Sequence, residues 1–397
     1  MNTRISNRLL TAFLLALIAG TAFAQEDRLE TARESFTGAS LPTKLEILRM
    51  TERDDPAEFG PLYYDALKHV LNNAERIRAD RDLRDLAFLA MDRIQAGTYR
   101  PAANDLWRLY QVHQETSFRI RVLEVLATMG GESTTVVEGV IDWVRRQHVV
   151  SQAGGSVDFQ VLASAVKTLG EFGDPRAYTA LLDTVLYRYP GYVTAPARES
   201  LGRLEGDMLE FALTAVRSRP PADRRPVFSL LLDMDHLDDA ERLELAREVL
   251  RDAVGASASD LSAQEELRQT RFLAARILRE GSYSDAAREV IRHFNQTVLE
   301  FERRRIGSAP LLEAIAAVGA MGTEEASARL TDYLDLLNTY TESDRPFDTQ
   351  VVLAVIANLE LLGFPGSYNV LSYTYMLENY PRRVRDRAEQ AMSSVRQ

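Results

Sequence analysis

Proton transfer or metal ligation in this chain would have to be built from five histidines and 58 carboxylates, because its 397 residues include no cysteine. The histidines are His69, His113, His148, His236 and His293, scattered along the chain. None forms an H-E-x-x-H pair, the spacing that puts two ring nitrogens on one helix face. The densest cluster, Asp233-Met234-Asp235-His236-Leu237-Asp238-Asp239, offers oxygen ligands to a hard cation. It lacks the glycine and the distal glutamate of a calcium loop. Asp238 with Glu241 reads instead as a capping box opening a helix over 239–253. There is no G-x-S-x-G elbow, no phosphate-cradling glycine loop with a lysine and no dinucleotide fingerprint. Carboxylates are too common here to single out a general acid and base. No catalytic residue, cofactor site or metal site is assigned.

Two other groups suit recognition. Tyrosines gather at Tyr187, Tyr189 and Tyr192, and again at Tyr368, Tyr373, Tyr375 and Tyr380. Aromatic rings with a polar tip are favoured at binding surfaces. Tyr192 and Tyr380 stand in or beside turns, where a side chain is expected to project. Arg303-Arg304-Arg305 follows a long helical stretch. Cations there offset the helix dipole, and the same run suits docking of an acidic partner. The candidate partner-binding residues are thus Tyr192, Tyr380, Arg303, Arg304 and Arg305.

The elements that must position these residues repeat. Leu162, Ala165, Val166 and Leu169 line one face of a helix. Gly170 and Gly173 read as its end, since glycine reaches the left-handed conformation of a C-terminal cap. Asp174 and Pro175 then open the next helix, which carries Tyr178, Leu181, Leu182 and Val185 up to the break at Tyr189-Pro190-Gly191. Shifted by 190 residues, Asp158 meets Asp348, Gly173 meets Gly363 and Pro175 meets Pro365. With one further residue, Tyr189-Pro190 meets Tyr380-Pro381. Val318-Gly319-Ala320-Met321-Gly322 is a third copy of Leu169 to Gly173. Paired helices are expected over 41–77, 80–114, 115–150, 158–190, 191–219, 222–255, 260–304, 308–342 and 345–380, with a charged terminal helix over 381–397. The Ala-, Gly- and Ser-rich stretch 253–264 reads as a hinge.

Helix pairs repeating every 33 to 45 residues or so mark an α-solenoid. The unit LGEFGDPRAYTALLDTVL resembles a HEAT repeat: a helix ending in leucine-glycine, then Gly-Asp-Pro-Arg-Ala, then a leucine-rich helix. The resemblance is good over 156–190, fair over 308–340 and 348–380, and weaker elsewhere. It implies an all-α, right-handed α-solenoid of stacked antiparallel helix pairs over 41–397, used as a binding scaffold. Tetratricopeptide repeats fit less well, because their 34-residue spacing is not kept.

Residues 1–24 have the pattern of a signal peptide: Arg4 and Arg8, an apolar run over 9–20, and the small-x-small site Ala22-Phe23-Ala24. Residues 25–40 form a lead-in. Of the 47 basic residues Arg4 and Arg8 leave with this segment; the remaining 45 face 58 acidic residues, a net charge of −13. Such a surface repels nucleic-acid backbones. No later stretch is apolar enough to span a membrane. The expectation is a periplasmic or secreted, non-catalytic scaffold that binds protein partners of the cell envelope. The alternatives are an α/α-toroid enzyme acting on polysaccharide and a structural subunit of an envelope assembly.

Overall fold

The computed structural model describes residues 28–395, apart from 188, 259, 344, 346 and 347. The expected signal peptide lies outside the described residues. Among those described there is no strand. The chain divides into two compact units, which part between Gly206 and Asp207.

In the first unit the lead-in is itself helical over residues 28–38 (α1). There follow α2 (Leu41–Met50), α3 (Gly60–Asn72), α4 (Arg81–Ala96), α5 (Ala103–Val112), α6 (Thr116–Met129), α7 (Thr134–Gln152), α8 (Phe159–Phe172), α9 (Tyr178–Leu186) and α10 (Gly191–Leu201). Two ladders of contacts organise them. Helices α2, α4, α6, α8 and α10 pack each on the next, and so do α3, α5, α7 and α9. Successive helices therefore alternate between two layers, as short connections between antiparallel neighbours require. The seam between the layers is apolar: Leu83, Leu86, Leu106, Val122, Leu126, Val140, Leu162, Leu169 and Leu181 are all buried.

The second unit repeats the plan. Its helices are α11 (Met208–Arg217), α12 (Pro221–Leu232), α13 (Asp239–Gly255), α14 (Leu261–Glu280), α15 (Ala287–Glu302), α16 (Ser308–Ala320), α17 (Glu324–Glu342), α18 (Thr349–Leu362), α19 (Tyr368–Met376) and α20 (Arg382–Ser394). The even-numbered helices from α12 to α20 form one ladder, and the odd-numbered ones from α11 to α19 form the other. The fold is all-α, a helical solenoid of paired helices. Residues 253–264, read from the sequence as a hinge, lie inside this unit: Ala253 belongs to α13, Asp260 caps α14, and the two helices pack together.

The turn chemistry follows the sequence closely. Asp158 accepts the backbone N–H groups of Gln160 and Val161 at the start of α8. Asp348 accepts from Gln350 at the start of α18. Gly173 and Gly363 end these helices with φ of 65° and 70°, a conformation that costs a residue with a Cβ roughly 1 kcal/mol or more. Gly170 does something else. It sits within α8, where a Cβ would come within 2.3 Å of Ser200 Oγ on α10. Its role is the close approach of two neighbouring helices, not the cap the sequence suggested. Gly319 repeats that role in the second unit, with Asn358 Oδ1 of α18 2.0 Å from an added Cβ.

Candidate functional site

The tyrosine-proline turns hide their tyrosines. Tyr380 is only 2% exposed and its hydroxyl pKa is pushed up to about 12 by burial, which corrects the expectation that it projects toward a partner. The cause is local. Pro381 is the N-cap of α20 and confines the preceding residue to extended backbone. Asn379 Nδ2 also donates to the Thr341 carbonyl at 3.1 Å, pinning the turn to α17. Tyr189 is buried in the same way before Pro190. Tyr192, one residue into α10, does project and is 57% exposed.

The three arginines separate. Arg304 takes φ of 56°, while its N–H donates to the Phe301 carbonyl and that of Arg305 to Glu300. These two bonds around a left-handed residue form a Schellman closure of α15. Arg303 and Arg304 remain exposed at the helix end. Arg305 is turned back to line a cavity of about 260 Å³ with Arg268 and Arg271 of α14 and Gln296 and Glu300 of α15.

Two histidines, His148 and His293, are buried in the helix packing. His148 Nε2–H donates to the Ala180 carbonyl at 3.1 Å, and Nδ1 accepts from the Tyr189 hydroxyl at 3.0 Å. His293 is completely buried, with neither ring nitrogen partnered, and burial lowers its pKa to about 3. It stays neutral at neutral pH. The acidic run 233–239 does build the capping box: Asp238 accepts from the Glu241 N–H at 2.8 Å, and Glu241 accepts from that of Asp238 at 2.9 Å. Among the described residues no three His, Asp or Glu side chains converge as a metal site.

Sequence reasoning singled out Tyr373 and Tyr375 with the other tyrosines but missed the exposed apolar residues Leu299, Leu336 and Met376 on the odd-numbered layer of the second unit. Leu299 on α15, Leu336 on α17 and Tyr373 on α19 are exposed, and each is 37 residues from the next. Met376, one turn on from Tyr373, is exposed too, and so is Tyr375, on the opposite flank of α19. Hydrogen bonds bind the same surface across helices: the Tyr340 hydroxyl donates to Glu302 at 3.0 Å, and the Tyr373 hydroxyl to Glu342. The signal was present in the equal spacing, but an exposed apolar residue looks like a core one in sequence. Isolated exposed apolar residues need no explanation, whereas a contiguous set marks an interaction surface.

Known proteins add a name for the repeat. Residues 161–185, which run from α8 into α9, match the family model of the PBS lyase HEAT-like repeat. Among solved structures, the crystal structure of an engineered protein aligns over 90% of this chain and 100% of its own, at 13% identity and a TM-score of 0.32. No curated protein matches the sequence. The left-handed glycine, the Asp-Pro opening and the layered pairing agree with that match: residues 161–185 carry a HEAT-like repeat within an all-α helical solenoid.

Proposed function

We propose that the chain is an exported, non-catalytic scaffold that binds a protein partner in the cell envelope through the odd-numbered layer of its second unit. The observation that carries this reading is the exposed apolar side chains Leu299 on α15, Leu336 on α17 and Tyr373, Tyr375 and Met376 on α19, three helices that pack one on the next in the odd-numbered layer. Three helices held in register present more apolar surface than one, and tyrosine is enriched at binding hot spots. Export is supported by the pattern of residues 1–24. Arg303 and Arg304 border these side chains at the end of α15 and add cationic contacts.

Crosslinking in the native envelope, with the wild-type chain beside a Leu336→Glu variant, tests the interaction. The expected result is one crosslinked species that the variant loses while keeping its helical signal. An unchanged crosslinking pattern, or hydrolysis of an envelope polysaccharide by the purified chain, would overturn the scaffold reading. N-terminal sequencing tests export: mature protein should begin at Gln25, and retention of Met1 to Ala24 would count against it.

A further inference from the structure

We infer that the two units are copies of one module, so that the chain is a tandem duplication in which α2–α10 answer in order to α12–α20. A solenoid made from one repeat would have each hairpin resemble its neighbours. Here the likeness skips to the other unit. At an offset of 184, Phe88-Leu89-Ala90 and Gly97-Thr98-Tyr99 meet Phe272-Leu273-Ala274 and Gly281-Ser282-Tyr283. Both glycines keep negative φ, and the left-handed conformation falls on the next residue, with φ of 48° at Thr98 and 47° at Ser282. A left-handed residue that carries a Cβ is uncommon. The Tyr99 and Tyr283 N–H groups then close the two turns on the carbonyls of Ile94 and Leu278. The hairpins of α8 and α18 use a left-handed glycine instead, and they too match each other. The outer helices follow. At 183, the buried Leu45 and Leu48 of α2 meet the buried Phe228 and Leu231 of α12; at 191, Val193 and Ala197 of α10 meet Val384 and Ala388 of α20, all four buried.

The core carries a compensated exchange. Tyr110 and Trp143 meet edge to face at 5.7 Å between centroids, and their counterparts Phe294 and Tyr333 do so at 5.2 Å. An arginine lies over each ring pair. In the first unit it is Arg119 of α6, with Cζ 4.1 Å from the Tyr110 centroid and 5.1 Å from that of Trp143. In the second it is Arg329 of α17, 5.0 Å from Phe294 and 6.0 Å from Tyr333. The two arginines do not correspond in sequence: Arg329 meets Gly139, and Arg119 meets Leu311. Trp107 explains the switch. A Cβ on Gly139 would lie 2.4 Å from its Nε1, so no arginine fits there and the cation comes from α6. The counterpart of Trp107 is the smaller Ile291, and buried Leu311 takes the α6 place. Three positions differ together while the rings and the cation keep their arrangement. A buried polar pair is kept as well: Thr184 Oγ1 lies 3.2 Å from His148 Nε2, and 190 residues on Thr374 donates to Asn338 Oδ1 at 3.1 Å.

This inference goes beyond the scaffold reading and does not depend on it. The test transplants one arrangement into the other unit of the full chain, with urea unfolding followed by the helical signal. Gly139→Arg alone should prevent folding or lower the midpoint sharply, because the new side chain meets Trp107 and sets a second guanidinium beside Arg119. Trp107→Ile, Arg119→Leu and Gly139→Arg together should recover most of that midpoint, although Trp107→Ile by itself opens a cavity and lowers it. The reciprocal triple variant, Ile291→Trp, Leu311→Arg and Arg329→Gly, should likewise unfold at higher urea than Ile291→Trp alone. Where a single variant does not fold, a cooperative transition in its triple counterpart is the same result. A triple variant no more stable than its damaging single change, in either unit, would overturn the duplication.

Discussion

The hairpins at 158–190 and 348–380 share a backbone and differ in what they show to solvent. Both open with a capping aspartate, close the first helix with a left-handed glycine and enter the second through a proline-started turn. Both bury the tyrosine before the proline that ends them. At the 190-residue offset, Asp183, Val185 and Leu186 of α9 correspond to Tyr373, Tyr375 and Met376 of α19. In α9 these positions are half-buried or buried, and in α19 all three are exposed. What the repeat needs to fold is kept in both copies, while the outer positions are left free to diverge. The α19 copy exposes aromatic residues where the α9 copy packs their counterparts, which is the contrast that the proposed binding role uses.

The largest effect should separate two tyrosines that sequence alone treated together. Tyr380→Ala removes a fully buried ring and is expected to cost about 3–5 kcal/mol in urea unfolding. Tyr192→Ala, on an exposed side chain, should stay within about 0.5 kcal/mol. If the two variants unfold alike, the opposed burial of these residues is wrong.

A second contrast concerns the buried histidines. His148 has a partner at each ring nitrogen, whereas His293 has none and lies near the charge of Arg271. The folded-state pKa of His293 is lowered to about 3, from about 6.5 in the unfolded chain. Between those values the unfolded state binds the proton and the folded state does not. The contribution is therefore fully present above about pH 6.5 and is lost as pH falls toward 3. The slope approaches about 1.4 kcal/mol per pH unit within that window. His293→Leu should flatten the decline measured between pH 7 and pH 5. It should also be close to neutral in stability at pH 7, because both unpartnered nitrogens leave together. An unaltered pH profile would show that the ring is not held neutral.

The paired glycines give a smaller effect. Gly363→Ala meets no atom within 4 Å, so only the backbone conformation penalises it. Gly173→Ala comes no closer than 3.7 Å to the Arg203 carbonyl oxygen. Both should lose about 1 kcal/mol, equal to within a few tenths. Gly170→Ala places its methyl against Ser200 of α10 and should cost more, roughly 1–3 kcal/mol. Chemical denaturation of the three variants side by side checks that order.

Local rules carried most of the fold. Capping aspartates, the glycines at 173 and 363 and the helical period of apolar residues each act over a few neighbours, so the helix pairs were legible. Gly170 was misread because its constraint comes from Ser200, thirty residues away on another helix. Tyr380 was misread for a related reason: a turn position suggests projection, but the adjacent proline and the Asn379–Thr341 bond fold the ring inward. Arg303 to Arg305 were legible as a cationic helix end. That only Arg305 joins a cavity depends on the left-handed turn at Arg304 and on the placement of α14, which spacing does not encode. Picking out Leu299, Leu336 and Met376 required knowing which face of each odd-numbered helix is outermost.

The double variant Tyr373→Ala, Tyr375→Ala should change stability little. Both rings are exposed, and the bond from the Tyr373 hydroxyl to Glu342 is a surface contact that water replaces readily. The unfolding free energy from urea denaturation should fall by no more than about 0.5 kcal/mol. If the outer face of α19 is the specialised one, the same variant should lose the envelope crosslink that the wild-type chain forms, since truncating aromatic anchors removes a large share of binding energy. The matching change in the other copy, Asp183→Ala, should leave that crosslink intact. Equal losses from the two variants would mean that the two hairpins contribute alike, and the contrast between them would then concern packing alone. A large fall in stability in the tyrosine variant, with the crosslink preserved, would instead assign α19 to the fold and move recognition to Leu299 and Leu336.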